Sequence, residues 1–154
     1  MRAFLILLFT LGLLGPVHAA DTGAGGKVVK VLSLWLDLQG RTAKSPSLFD
    51  RDAYQFYLLN HTNEISAVRY DVLWSAATNK GEKLIVRAEL RGVGATGAPR
   101  LKNLEAVVTP GNFRQWTSLT LGGADFQQFG SVVAWRVTLW NGSALLGEQK
   151  SFLW

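Results

Sequence analysis

The chain has 154 residues, no cysteine, two histidines, and 16 lysines and arginines against 11 acids, a formal charge of +5. That length suits one domain with a real core, disulfides are excluded, and the basic residues are scattered rather than gathered into the stripe a nucleic-acid binder uses. The same composition leaves few ligands for zinc and few groups for Cys-His or Ser-His-Asp catalysis.

In chain order, Arg2, the apolar run Ala3 to Leu14, the helix-breaking Gly15-Pro16 and the small-residue site His18-Ala19-Ala20 read as a secretory signal peptide over residues 1–20. Its apolar core is too short to cross a bilayer. Cleavage is expected before Asp21, which removes Arg2 and leaves a formal charge of +4 with His61 as the remaining histidine. No cysteine follows the cleavage site to carry an acyl anchor, so the mature chain is expected to have no membrane span and to work in the periplasm or outside the cell. Cysteine-free export suits a bacterial envelope, and the sequons Asn60-His61-Thr62 and Asn141-Gly142-Ser143 then count as chance.

Asp21 to Gly26 reads as a flexible leader, with the folded domain expected over residues 27–154. Val28, Lys30, Leu32, Leu34, Leu36 and Leu38 alternate with Val29, Val31, Ser33, Trp35 and Asp37, a first strand apolar on both faces. Ser45-Pro46-Ser47 is a helix-start signal; acids at Asp50 and Asp52 complement the first turn, and Phe49, Ala53, Phe56, Tyr57 and Asn60 follow helical spacing. A short helix is predicted from Leu48 to Leu59.

Val68, Tyr70, Val72 and Trp74 then alternate with polar positions up to the turn at Asn79-Lys80-Gly81, and Leu84, Val86, Ala88 and Leu90 alternate beyond it. The two are expected to pair across that turn. A Gly-rich loop spans Gly92 to Arg100, Leu104 to Thr109 is a short strand, and Gln115 to Leu121 is another. In the next strand Val133, Trp135, Val137 and Leu139 oppose Ala134, Arg136, Thr138 and Trp140. Asn141-Gly142 is a hairpin signal that folds Ala144 to Leu153 back on it. About seven strands with one-sided patterns imply an all-β fold, an antiparallel β-sandwich with one short helix between the first and second strands.

From Leu119 to Phe152 the order strand (Leu119 to Gly122), aromatic corner (Asp125 to Gly130), long strand (Val133 to Val137) and hairpin (Asn141-Gly142) resembles the end of an immunoglobulin-like or fibronectin-III-like domain. The immunoglobulin cysteine pair and the corner tyrosine are absent, which points away from antibody-type membership. The resemblance implies a module that binds, spaces or supports other domains.

His61 follows the predicted helix and reads as a solvated or capping side chain. Asp50-Arg51-Asp52 lacks the oxygen donors of a calcium loop, and Gly92-Val93-Gly94-Ala95-Thr96-Gly97 lacks the Lys-Ser/Thr of a phosphate loop. Asp71 and Glu89 are the acid pair that could serve a hydrolase, with surface ion pairing as the simpler reading. The six tryptophans are the compositional anomaly. Trp74 and Trp135 fall on apolar faces, whereas Trp140 and Trp154 are the candidate binding residues, since exposed indoles stack on sugars or anchor partners.

The sequence therefore predicts an exported, non-catalytic interaction module with no catalytic residue, metal or cofactor. Its expected partner is an envelope or extracellular protein met through an edge strand, Lys27 to Asp37 or Ala144 to Leu153. Glycan binding through tryptophan and carboxylate-pair hydrolysis are the alternatives. A transmembrane barrel ending in Trp154 is disfavoured by short strands and their number.

Overall fold

The computed structural model describes residues 25–79 and 81–154; the expected signal peptide and residues 21–24 lie outside the described residues. The elements are β1 (Gly25–Asp37), α1 (Leu48–Asn60), a 3-10 turn (Thr62–Glu64), β2 (Ile65–Ala77), β3 (Leu84–Val93), β4 (Pro99–Val108), β5 (Gln115–Gly122), α2 (Gly123–Phe129), β6 (Ser131–Asn141) and β7 (Ala144–Lys150). They form two antiparallel sheets, one ordered β1-β2-β5 and the other β4-β3-β6-β7.

The core lies between the sheets because strand alternation puts every second side chain on one face. Val68, Tyr70, Val72 and Trp74 of β2 meet Leu84, Val86, Ala88 and Leu90 of β3 with Val137 and Leu139 of β6 in one buried cluster. Each such large apolar side chain, once buried, stabilises the fold by about 1.5–3 kcal/mol. Trp74 and Trp135 face this core as the alternation predicts, Trp135 lying against Tyr70 with ring centroids 6.1 Å apart. The Tyr70 hydroxyl is buried, and burial pushes its pKa to about 12, with the Ser33 hydroxyl across the strand pair acting the other way.

Two bulges re-aim the side chains. In β1 the register shifts between Val28 and Lys30, so Val28 joins Val31 and Trp35 against the core, and Lys30, Leu32, Leu34 and Leu36 turn to the outer face. A one-residue slip exchanges the two faces of a strand, which explains why both looked apolar in sequence. In β6 a shift opposite Arg91/Gly92 brings Val132 inward and leaves Val133 49% exposed.

β1 begins at Gly25, where Gly25 and Gly26 pair with Ala77 and Ala76, so the leader expected up to Gly26 ends inside the sheet. The expected pairing of β2 with β3 does not occur: β2 pairs with β1 and β5, and β3 with β4 and β6. The chain crosses between sheets after Ala77, because the apolar faces of both strands are satisfied by facing each other across the core rather than lying side by side. The Gly-rich loop is instead the β3–β4 hairpin, closed by Gly94 N–H on the Ala98 carbonyl and Gly97 N–H on the Gly94 carbonyl.

The β6–β7 turn has a positive φ of 56° at Gly142 and none at Asn141 or Ser143. Its central pair is therefore Gly142-Ser143, the pattern of a type II′ turn with glycine first. A helix the alternation did not announce, α2, fills the corner between β5 and β6, bounded by Gly123 (φ 60°) and Gly130 (φ 79°). Phe126 and Phe129, three residues apart, share its inner face and join the core.

Candidate functional site

Helix α1 starts where expected, with the Ser47 hydroxyl accepting from the Asp50 amide at the N-cap. It docks by polar atoms as much as by apolar ones. The Gln55 amide completes the open edge of β1: its Oε1 accepts the Trp35 N–H at 2.7 Å, and its Nε2 donates to the Trp35 carbonyl at 2.9 Å and the Thr42 carbonyl at 2.8 Å. Gln55 thus replaces the strand that Trp35 would otherwise seek.

One residue earlier, the Tyr54 hydroxyl donates to Asp37 at 2.8 Å. Asp37 is 2% exposed and also accepts from the amides of Gln39 and Arg41 and from the Arg41 guanidinium, each at 2.9 Å. Desolvation alone would raise the Asp37 pKa, but the Arg41 amide, Tyr54, the Arg41 side chain and the Gln39 amide outweigh it and hold the carboxyl at about 2. Burial, then the hydrogen bond to Asp37, raises the Tyr54 pKa in return. The cluster locks α1 and the loop before it onto the end of β1.

Beside this anchor, α1, the 3-10 turn, α2 and the start of β6 enclose a cleft of about 260 Å³. Trp35, Leu59, Ile65, Phe126 and Val132 supply its apolar walls, and Trp35 meets Phe126 edge-on with centroids 6.4 Å apart. Thr62 and Ser131 contribute hydroxyls; the lining holds no carboxylate, imidazole or amine. Such a lining can hold an apolar group but offers nothing to move a proton. Sequence reading missed it because its walls come from three stretches far apart in the chain, Trp35, Leu59 to Ile65 and Phe126 to Val132. The one local signal was the Phe126/Phe129 spacing between glycines.

Trp140 and Trp154 are not brought together. Both belong to the outer face of the four-stranded sheet, Trp140 opposite Ile85 and Trp154 over Arg91, about 20 Å apart at strand rise. Each ring carries an arginine: Arg87 lies 5.8 Å from the Trp140 centroid and Arg91 3.9 Å from that of Trp154. The Trp140 indole N–H donates to Thr138 at 2.8 Å, and Ser151 fixes the tail by bonding Trp135 through backbone and hydroxyl. The more open indole is Trp116, 53% exposed on the outer face of the three-stranded sheet. Along the same face run Ser118, Asp71 and Arg69, with Asp71 accepting from Ser118 at 2.6 Å and Arg69 at 2.9 Å.

Asp71 and Glu89 sit on opposite outer faces of the sandwich, Asp71 paired with Arg69 and Glu89 3.7 Å from Arg136. Asp50 accepts from Ser45 and Asp52 from Arg51. His61 caps α1, its ring stacked 4.0 Å from Tyr57 and its Nδ1 2.9 Å from the Tyr57 carbonyl. Among the described residues no three His, Asp or Glu side chains gather to hold a metal ion, and no helix is long and apolar enough to cross a membrane.

Of the two edges that sequence reading nominated for a partner, the first half of β1 and β7 face each other. A Cβ on Gly147 would stand 2.7 Å from the Lys27 Cα, and Gln149 donates to the Val29 carbonyl inside the bulge. By strand order β1, β5, β4 and β7 are all edge strands, and those of β1 and β7 are partly covered by each other and by Gln55 on Trp35. Comparison with protein-family models, with curated proteins and with solved structures finds no match, so a functional reading rests on this geometry.

Proposed function

We propose that this chain is an exported, non-catalytic immunoglobulin-like module of the bacterial envelope that binds a protein partner by taking one of its apolar side chains into the cleft beside α1. The three-plus-four strand order supports the fibronectin-III-like reading of the sandwich. The observation that carries the function is the cleft itself. At about 260 Å³ it falls just below the range of about 300–1,000 Å³ typical of small-molecule sites. A leucine or phenylalanine side chain suits that size and an uncharged lining, whereas a phosphorylated or glycosidic ligand would ask for polar partners the walls do not supply.

The test is a cleft-filling variant. Ser131→Trp is expected to abolish capture of the one envelope protein that co-purifies with the wild type, with the thermal melt unchanged. Capture that survives the filled cleft, or no stoichiometric partner at all, refutes the reading. A second reading, glycan binding, is favoured by Trp116, whose open ring stands beside the polar row Ser118, Asp71 and Arg69 as a stacking platform beside hydrogen-bonding groups would. Saturable binding on a glycan array that Trp116→Ala removes and Ser131→Trp leaves intact would select it over the first.

A further inference from the structure

The helical stripe that the sequence displays is turned away from the sandwich. Phe49 is 82% exposed, Phe56 70%, Leu48 68% and Leu59 54%, and Ala53 is open between them. The opposite side of α1, with Tyr54, Gln55 and Leu58, makes all the contact with β1 that docking requires. Steps of four, three and four residues place Phe49, Ala53, Phe56 and Asn60 within about 60° of one another around the helix.

We infer that two copies of this protein pair through that outward face, α1 antiparallel to α1 about a two-fold axis beside Ala53. The two phenylalanines lie two turns apart, about 10.5 Å along the axis, with the small alanine near their midpoint. An antiparallel partner sharing that midpoint sets each Phe49 against the other copy's Phe56, and Ala53 admits helix axes at about 8 Å. The surface is its own complement, which is what a closed two-fold interface demands. Antiparallel helices also place each positive N-terminal end beside the other's negative C-terminal end.

On this helix Asp52 is paired with Arg51 at 2.8 Å, and Asp50 accepts from the Ser45 hydroxyl at 2.5 Å. The Asp52 charge is thus paired before two copies meet. At about 200 Å² per aromatic ring, the exposed parts of Phe49 and Phe56 supply about 300 Å² in each copy. Leu48 and Leu59 lie about 80–100° around the helix from Phe49 and stay outside the contact, so the phenylalanines of both copies together bury about 600 Å², below the roughly 1,000 Å² of a stable specific interface, and the dimer is weak and reversible.

The chain's own N-terminus is the competing occupant. Gly25 starts β1 about 33 Å from Trp35, where α1 docks. After the proposed cleavage, Asp21 to Ala24 span at most about 14 Å and cannot reach.

The experiment uses the protein exported from its full-length sequence, with the processed N-terminus read by intact mass. Sedimentation over a concentration series is expected to show a monomer–dimer equilibrium that Phe56→Asp abolishes and Ser131→Trp preserves; this separates pairing from the cleft reading. Because the chain has no cysteine, Ala53→Cys introduces a single thiol, expected to cross-link two copies on mild oxidation while Thr109→Cys does not. The inference is overturned by a monomer at every concentration, by a dimer indifferent to Phe56→Asp, or by a monomer whose α1 face is instead protected by phosphatidylcholine vesicles or by a retained N-terminal segment.

Discussion

Replacing Asp37 by asparagine removes one charge from the most polar buried position of the fold while keeping its shape. The unfolded carboxyl titrates at 3.8 and the folded one at about 2. At about 1.4 kcal/mol per tenfold change in proton affinity, ionised Asp37 contributes about 2 kcal/mol to folding at neutral pH. The folded pKa is the lower of the two, so this contribution is fully present above the unfolded value and drains away as pH falls from about 4 to about 2. Urea denaturation followed by tryptophan fluorescence measures it: Asp37→Asn is expected to lose about 2 kcal/mol at pH 7 and much less near pH 2, with an unchanged slope in denaturant. A variant equally destabilised at both pH values, or one as stable as wild type at neutral pH, would refute the assignment of that energy to the carboxylate.

Four further outcomes follow from the same packing. Gln55→Ala frees the N–H and carbonyl of Trp35 and is expected to cost about 1–3 kcal/mol, with the Trp35 amide exchanging its hydrogen faster than in wild type. Gly147→Ala forces a methyl against the Lys27 backbone at 2.7 Å, a clash expected to cost about 1–3 kcal/mol and to lower the thermal midpoint. Leu58→Ala, at a fully buried site, is expected to cost about 2–5 kcal/mol. Phe56→Ala, two residues away and 70% exposed, should stay within about 0.5 kcal/mol for the monomer; a large loss there would mean that the ridge packs inward.

These substitutions separate two jobs that α1 performs. Its inner side is a structural clamp, holding the β1 edge through Gln55 and the following loop through Tyr54 and Asp37. Because that clamp relies on hydrogen bonds to a strand edge, the helix needs few apolar residues to stay in place. The phenylalanines that a helix of this kind normally spends on its own core are left for other surfaces.

Strand alternation, the Ser47 cap and the glycine turns were legible in the amino-acid order, because each depends on neighbours within a few positions. The two-layer architecture and the inward Trp74 and Trp135 followed from them. Pairing across the sandwich was not legible: alternation says which side of a strand is apolar, not which strand will cover it, so β2 and β3 looked like a hairpin and proved to face each other. The same limit applies to α1, whose spacing announced a helix but not which way Phe49 and Phe56 would point. That was decided by Gln55 and Asp37, polar residues whose importance depends on a strand edge and a loop distant in sequence. Trp140 and Trp154 had the composition of binding residues, and it is β3, distant in sequence from both, that sets an arginine beside each ring. Local chemistry determined the elements; long-range contact, which no short stretch of sequence encodes, determined which surfaces remain free to bind.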